Sequence, residues 1–351
     1  MLNSVPASQV LQGLDQYSAV IDARSESEFA LDRLPGAVNW PSLNDAERAA
    51  VGTEYKQVSP FAARKHGAVL VARNVAAHIE REVFDKPKDW SPLVYCWRGG
   101  QRSGALALVL GQIGFRVHLL EGGYREYRRA VLAALETLPG TFDYRVVCGS
   151  TGSGKSRLLH ALRSRGAQVL DLEALAEHRG SVLGLVPGAT QPSQKQFESR
   201  VWDALRRFDP QRPVFVESES RKVGDLRVPP ALIERMRTAP CLQLDLALEQ
   251  RVALLIAEYD FFVRDTKTLC DRLDALRALR GSATVNAWQE AARAGLTSEL
   301  VRALLVEHYD PGYAQSMLRN FSGLATPKLE LTWDGSELSL AQAAERAIQA
   351  G

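Results

Sequence analysis

Two glycine-bearing loops, each set between a short apolar run and a helical pattern, constrain this chain more than any other feature. The first, Cys96-Trp97-Arg98-Gly99-Gly100-Gln101-Arg102-Ser103, follows Leu93-Val94-Tyr95. The second, Gly149-Ser150-Thr151-Gly152-Ser153-Gly154-Lys155-Ser156, follows Tyr144-Arg145-Val146-Val147-Cys148. A buried strand that turns directly into a helix belongs to a mainly parallel sheet covered by helices on both faces. The chain therefore predicts an α/β fold with two such sheets. At each turn the helix N-terminus offers unpaired N–H groups and a positive dipole end. One loop adds a nucleophilic sulfur and the other a lysine.

The 351 residues suit two domains. In the first, strands are read at Ser18–Asp22, Gly36–Asn39, Leu93–Tyr95 and Arg116–Leu120. Helices are read at Glu26–Leu31, Pro60–Val83, Ser103–Ile113 and Tyr124–Leu138. The turn-forming break Leu138-Pro139-Gly140-Thr141 ends this domain, placing it at residues 1–138 and the next at 139–351. The same alternation then restarts. Strands fall at Tyr144–Cys148, Gln168–Leu170, Val214–Glu217, Cys241–Leu246 and Leu329–Thr332. Helices fall at Lys155–Arg165, Gln194–Phe208, Pro230–Arg237 and Leu338–Ala350, with an almost wholly helical stretch from Ala247 to His308. The cluster His308-Tyr309-Asp310-Pro311 ends that stretch and reads either as a nucleotide-facing group or as a helix C-cap with proline as the stop.

Composition narrows the setting. No apolar run approaches the roughly 20 residues of a membrane span, and the N-terminus lacks the pattern of a signal peptide. Cys96, Cys148, Cys241 and Cys270 show no disulfide or zinc spacing, which fits a reducing cytoplasm. The net charge of +2 neither demands nor excludes a nucleic-acid partner. Arginine is favoured over lysine, 34 to 9, which suits phosphate recognition but also follows from a GC-rich genome.

At the first loop, the helix N-terminus and a nearby arginine favour the Cys96 thiolate. Gly99 and Gly100 let the backbone curl so that its amides point inward. Arg102 closes the ring and suits a tetrahedral oxyanion, so phosphate, selenophosphate or a persulfide sulfur are all candidate ligands. The second loop is a complete Walker A sequence. The amides of Ser150–Lys155 wrap a diphosphate, Lys155 neutralises charge, and Ser156 is the candidate ligand for Mg²⁺. Cys148 reads as a core residue. Asp171, after the second strand of this half, reads either as a base or Mg²⁺ partner or as a helix N-cap. Glu217 stands where a Walker B carboxylate belongs, with Glu219 and Arg221 beyond. Arg221, Lys222 and Arg264 are candidates to close over a diphosphate or touch RNA, with solvated surface charge as the plainer reading.

The first half resembles a rhodanese domain over roughly residues 15–130. The residues that carry this are Ile21-Asp22-Ala23-Arg24-Ser25-Glu26-Ser27-Glu28-Phe29, Arg33-Leu34-Pro35-Gly36-Ala37-Val38-Asn39-Trp40-Pro41, the cysteine loop, and Leu120-Glu121-Gly122-Gly123-Tyr124. Five residues separate Cys96 from Arg102, where ordinary sulfurtransferases of that family have four. That count is shared with the rhodanese-fold phosphatases, although Tyr95 stands where those usually have histidine. The longer loop implies a bound group larger than one sulfur. A rhodanese domain followed at once by a P-loop domain resembles the bacterial tRNA 2-selenouridine synthase family, with Asp171-Leu172-Glu173 and His178-Arg179-Gly180-Ser181 in support.

The resemblance implies replacement of sulfur by selenium at wobble 2-thiouridine in tRNA. Selenophosphate is the selenium donor, and geranyl diphosphate supplies a geranyl group to the thio sulfur. It implies that Gly149–Ser156 hold the diphosphate and that the Cys96 loop binds selenophosphate. Cys96 then acts either as selenium carrier or in freeing selenide from phosphate. No tightly bound cofactor is expected; Mg²⁺ is a candidate companion of the diphosphate. A second reading is a phosphatase of the C-x₅-R type, or a sulfurtransferase, fused to a small-molecule kinase or NTPase. A third is a module that docks sulfur-relay partners and senses nucleotide.

Overall fold

The structure is a computed structural model and describes residues 2–180, 188 and 190–351. Ser181 of the supporting motif lies outside the described residues. The chain forms two compact units, each with one five-stranded parallel sheet.

In the first unit the strands are β1 (Leu2–Val5), β2 (Ala19–Asp22), β3 (Ala37–Asn39), β4 (Pro92–Tyr95) and β5 (Val117–Leu120), in spatial order β1-β5-β4-β2-β3. Every residue of the central strand β4 is buried, which is why it reads as an unbroken apolar run rather than an alternating one. Ile21 and Val94 sit side by side in the ladder and pack with Leu106, Leu110 and Val117 in the core. Edge strand β1, which pairs with β5, has three exposed residues in four and gave no apolar signal in the sequence. The helix Asp45–Gln57 likewise carries little sequence signal. Its capping box, Asn44 with Glu47, is plain, but it buries no residue fully and so carries a weak apolar stripe.

This unit also takes residues 192–203, the greater part of the helix Gln194–Leu205. The division of the chain is therefore not the contiguous one at residue 138. Side-chain chemistry accounts for it: Ser199 Oγ donates to the buried Asp32 at 3.2 Å, Arg128 pairs with Glu198, and Trp202 meets Tyr127 edge-on at 5.9 Å.

The second unit orders β6 (Tyr144–Cys148), β7 (Gln168–Leu170), β8 (Val214–Glu217), β11 (Cys241–Asp245) and β12 (Leu329–Thr332) as β12-β11-β6-β8-β7. A separate hairpin pairs β9 (Lys222–Val223) with β10 (Leu226–Arg227). The glycine loop leaves β6, the central strand, where the connections diverge to either side and ligands of open α/β sheets bind. The expected helix end at His308–Pro311 is not one. The chain makes a π-helical turn, Leu304–Tyr309, and continues as the helix Asp310–Asn320. Pro311 lacks an N–H and its ring collides with the carbonyl four residues back in a regular helix; the wider turn relieves that, so the proline opens a helix instead of stopping one. Among the described residues no helix is long and apolar enough to cross a membrane.

Candidate active sites on two loops

The cysteine loop rests on a second pair of glycines. Gly99 has φ +65°, and Gly123, at φ +61°, lies so close beneath the loop that a Cβ there would be 2.2 Å from the Cys96 carbonyl oxygen and 2.4 Å from the Gly99 nitrogen. The Tyr124 N–H donates to that carbonyl at 2.8 Å, and the Arg125 N–H donates to the Trp97 carbonyl at 3.2 Å. The Leu120–Tyr124 segment thus moulds the loop, and only glycine fits at its contact point.

Cys96 is buried, and Ser103 Oγ donates to its sulfur at 3.1 Å. Burial pushes the thiol up. The Ser103 hydroxyl and amide, the Arg102 charge and the Gly100 amide outweigh it and hold the group below the ordinary thiol range. Arg102 Nη1 donates to Glu28 Oε2 at 2.8 Å. Trp97 stacks obliquely on Tyr124, with centroids 5.4 Å apart, while Arg98, Gly100 and Gln101 are exposed at the rim.

Beneath the loop lies a buried polar bracket. Arg24 forks onto Asp22, with Nη2 to Oδ2 at 2.6 Å, and Tyr95 donates to the same oxygen at 2.7 Å. Arg24 Nη2 also donates to the Asp32 carbonyl at 2.6 Å, and its guanidinium lies 4.0 Å from the Tyr124 ring centre. The motif Asp22-Ala23-Arg24 is therefore scaffold. Tyr95, standing where a phosphatase-type loop has histidine, is fully buried and serves that scaffold.

In the glycine loop, Gly152 (φ +76°) and Gly154 (φ +90°) adopt left-handed conformations; a Cβ on Gly154 would lie 2.4 Å from the Trp333 ring. Lys155 Nζ donates to the Gly149 carbonyl at 2.7 Å. Three residues that the motif did not disclose tie the loop down. Tyr313 Oη accepts from the Gly149 N–H at 2.5 Å, and Trp333 Nε1 donates to the Ser153 carbonyl at 2.8 Å. Arg251 Nη2 donates to the Thr151 carbonyl at 2.7 Å and to Asp310 Oδ1 at 2.6 Å. Nothing in local sequence spacing links residues one hundred and more positions apart.

Of the two readings open for Asp171 the structure takes the helix cap, whereas Glu217 does not stand at the loop as a Walker B carboxylate would. Asp171 caps the helix Leu172–Ala176, accepting from the Ala174 N–H at 2.9 Å, and lies 3.5 Å from His160. Glu217 is buried behind the site, where its Oε1 accepts from the Glu173 N–H at 2.8 Å. Burial, then the charges of Asp171, Glu173 and Glu219, push it well above the carboxylate range. Glu173 and Glu219 instead line the cavity at the loop, and Ser156 Oγ donates to Glu173 Oε2 at 3.0 Å. Burial and the neighbouring Glu173 raise Glu219 to about 8. A Cβ on Gly180 (φ +70°) would be within 2.9 Å of an oxygen of each, which explains the glycine in His178-Arg179-Gly180.

Lys155, Arg157, Arg179, Arg280 and His308 line that cavity, about 440 Å³ in volume, with Tyr309 beside them. Arg221 and Lys222 are exposed outside it, and Arg264 is exposed and paired with Asp260 at 2.5 Å. All four cysteines are free, and Cys148 is fully buried.

Residues 6–130 match the rhodanese-like domain model, and residues 142–277 match the model of the tRNA 2-selenouridine synthase AAA domain. The chain is 36% identical over 261 residues to the tRNA 2-selenouridine synthase of Nitrosomonas europaea, covering 70% of this chain and 66% of that protein, just under two thirds of its length. It is 32% identical over 332 residues to that of Alcanivorax borkumensis, covering 86% of this chain and 90% of that protein. A rhodanese-related protein of Thermoplasma volcanium is 17% identical with a TM-score of 0.24, covering 36% of this chain and 91% of that one. By its two domain matches and its near-full-length relative, the chain belongs to the tRNA 2-selenouridine synthase family.

Proposed function

We propose that this chain replaces the sulfur of wobble 2-thiouridine in tRNA with selenium from selenophosphate, after first alkylating that sulfur with geranyl diphosphate. The supporting observation is an apolar chamber of about 270 Å³ in the second unit. It shares Thr151, Leu255, Tyr259 and Tyr309 as walls with the polar cavity of the glycine loop, and Ile256, Val301 and Leu304 line its interior. A cradle for a diphosphate that opens beside an apolar chamber fits a prenyl diphosphate better than a nucleotide or a simple phosphoester.

In the first step the thiocarbonyl sulfur attacks C1 of the geranyl group. The carbon–oxygen bond breaks, diphosphate departs into the amides of Ser150–Lys155, and the N3 proton of the base passes to water. Lys155 exchanges the Gly149 carbonyl for a phosphate oxygen. Ser156 and Glu173 would hold a Mg²⁺ ion. One hydroxyl and one carboxylate suit an ion whose other ligands are phosphate oxygens and water. Among the described residues no group of three or more His, Cys, Asp or Glu stands ready to hold a metal without substrate. Such an ion would neutralise the departing diphosphate.

Alkylation converts a poor leaving group into a good one. The cysteine loop then holds selenophosphate through its amides and Arg102, with the Cys96 thiolate at its base. The wobble base must leave its stack to reach either loop.

The chamber is tested by Val301→Trp, a partly exposed wall position. Excluding three methylenes of the tail would cost about 2.4 kcal/mol, on the order of a 50-fold rise in KM for geranyl diphosphate. Inhibition by inorganic diphosphate should stay as in the wild type. An unchanged KM would remove the chamber from the account.

A further inference from the structure

The geranyl group enters this reaction at the glycine loop and leaves, as geranylthiol, at the cysteine loop. The second event makes its own demand for apolar space. The first unit has a trough of about 980 Å³ that begins at the cysteine loop. Gln101 and Arg102, at the start of the helix Gln101–Ile113, line it together with Ala105 and Leu108, which share a helix face with Gln101. From Gln101 to Leu108 that face runs about 10 Å. The other side is the helix Pro60–Glu82 and the segment after it, with Val75, Ile79 and Phe84.

Two features set the trough apart from an ordinary interhelical groove. Leu108 is 51% exposed and Phe84 is 84% exposed, so large apolar side chains of the trough face solvent. The trough also starts at the residue whose charge favours the Cys96 thiolate. A ligand with a polar head at that loop and an apolar chain along the helix fits this continuity.

We propose that the trough holds the geranyl chain of the S-geranyl-2-thiouridine intermediate while selenium replaces sulfur at the cysteine loop. The inference rests on the function proposed above. The step balances without an oxidant or reductant. The C2–Se bond forms and the C2–S bond breaks, its electron pair leaving with the geranylthiolate. The Se–P bond breaks as water attacks phosphorus, its electron pair staying on selenium, and the selenophosphate proton ends on N3 of the base. Water supplies the oxygen that ends on phosphate and the proton that ends on geranylthiol. Holding the chain places C2 at the loop and keeps the thiolate's tail out of water. The two loops thus carry separate apolar sites, one for the diphosphate donor and one for the thioether.

The test uses the full chain, selenophosphate, and synthetic anticodon stem-loop RNAs carrying either S-geranyl- or S-methyl-2-thiouridine. The wild type should select the geranyl RNA in kcat/KM. Leu108→Glu, at an exposed position, should lower that preference roughly tenfold or more, the size of losing about two buried methylenes. Selenation of the S-methyl RNA by the same variant, a cysteine-loop reaction that needs no geranyl site, checks that the first unit folds. A wild type indifferent to the S-alkyl group overturns the proposal. So does a Leu108→Glu variant that keeps the wild-type preference, including one that changes only the oligomeric state in sedimentation. Failure of the wild type to geranylate 2-thiouridine RNA, with geranyl selectivity in selenation intact, would instead strike the first step proposed above and support the trough.

Discussion

Replacing Ser103 with alanine should weaken the Cys96 thiolate without disturbing the loop's backbone. The hydroxyl donates to the sulfur at 3.1 Å from a side chain with no solvent exposure, so water cannot substitute for it. A hydrogen bond to a charged acceptor contributes about 1.5–3 kcal/mol net. Its loss should lower the ionisation constant of Cys96 on the order of 10- to 100-fold. The direction follows from the cause: the thiol is held below its ordinary range, so reactivity persists as pH falls through that range and is lost only on further acidification. Ser103→Ala moves that loss to higher pH. The assay is the rate of iodoacetamide alkylation against pH, with Cys96→Ala subtracted to remove Cys148, Cys241 and Cys270. A Ser103→Ala profile superimposable on the wild type would refute the reasoning and leave the amides and Arg102 as the source of activation.

Asp22→Asn leaves the buried Arg24 charge without its partner and should cost about 3–5 kcal/mol in urea unfolding of the first unit, whereas a loss under 1 kcal/mol would contradict the bracket. Gly123→Ala forces a left-handed alanine, costing about 1–3 kcal/mol, and drives a methyl into the Cys96 carbonyl; Cys96 alkylation should fall even where the protein folds. Arg251→Met frees the Thr151 carbonyl and Asp310, and about 1.5–3 kcal/mol of stability should go, less what solvent recovers at the partly exposed Asp310. Its KM for geranyl diphosphate should rise more than that of Arg264→Met, whose side chain lies outside the site.

What was legible in the sequence was short-range. The strands feeding both loops read correctly because β4 and β6 are buried on both faces, and the loops themselves because their glycines serve local conformations. What sequence spacing could not carry was partnership across distance. Tyr313 on Gly149, Trp333 on Ser153 and Arg251 on Thr151 join positions far apart in the chain. At closer range the sequence left Asp171 open between a catalytic group and a helix cap. Asp171 stands at the strand end, where a catalytic group is looked for, but its side chain turns back to cap the next helix. Glu173, two residues later, is the one that reaches Ser156. The helix Gln194–Leu205 misled for a further reason: a regular amphipathic pattern says that a face is buried, not which sheet buries it.

The most direct test of the two-loop account is mass spectrometry of nucleosides from 2-thiouridine tRNA incubated with geranyl diphosphate and selenophosphate. Wild type, Cys96→Ala and Lys155→Ala should be compared side by side. The account predicts 2-selenouridine with the wild type, accumulation of S-geranyl-2-thiouridine with Cys96→Ala, and unmodified 2-thiouridine with Lys155→Ala. Unaltered tRNA in all three samples, with Cys96-dependent hydrolysis of a simple phosphoester, would contradict it and leave the phosphatase reading in its place.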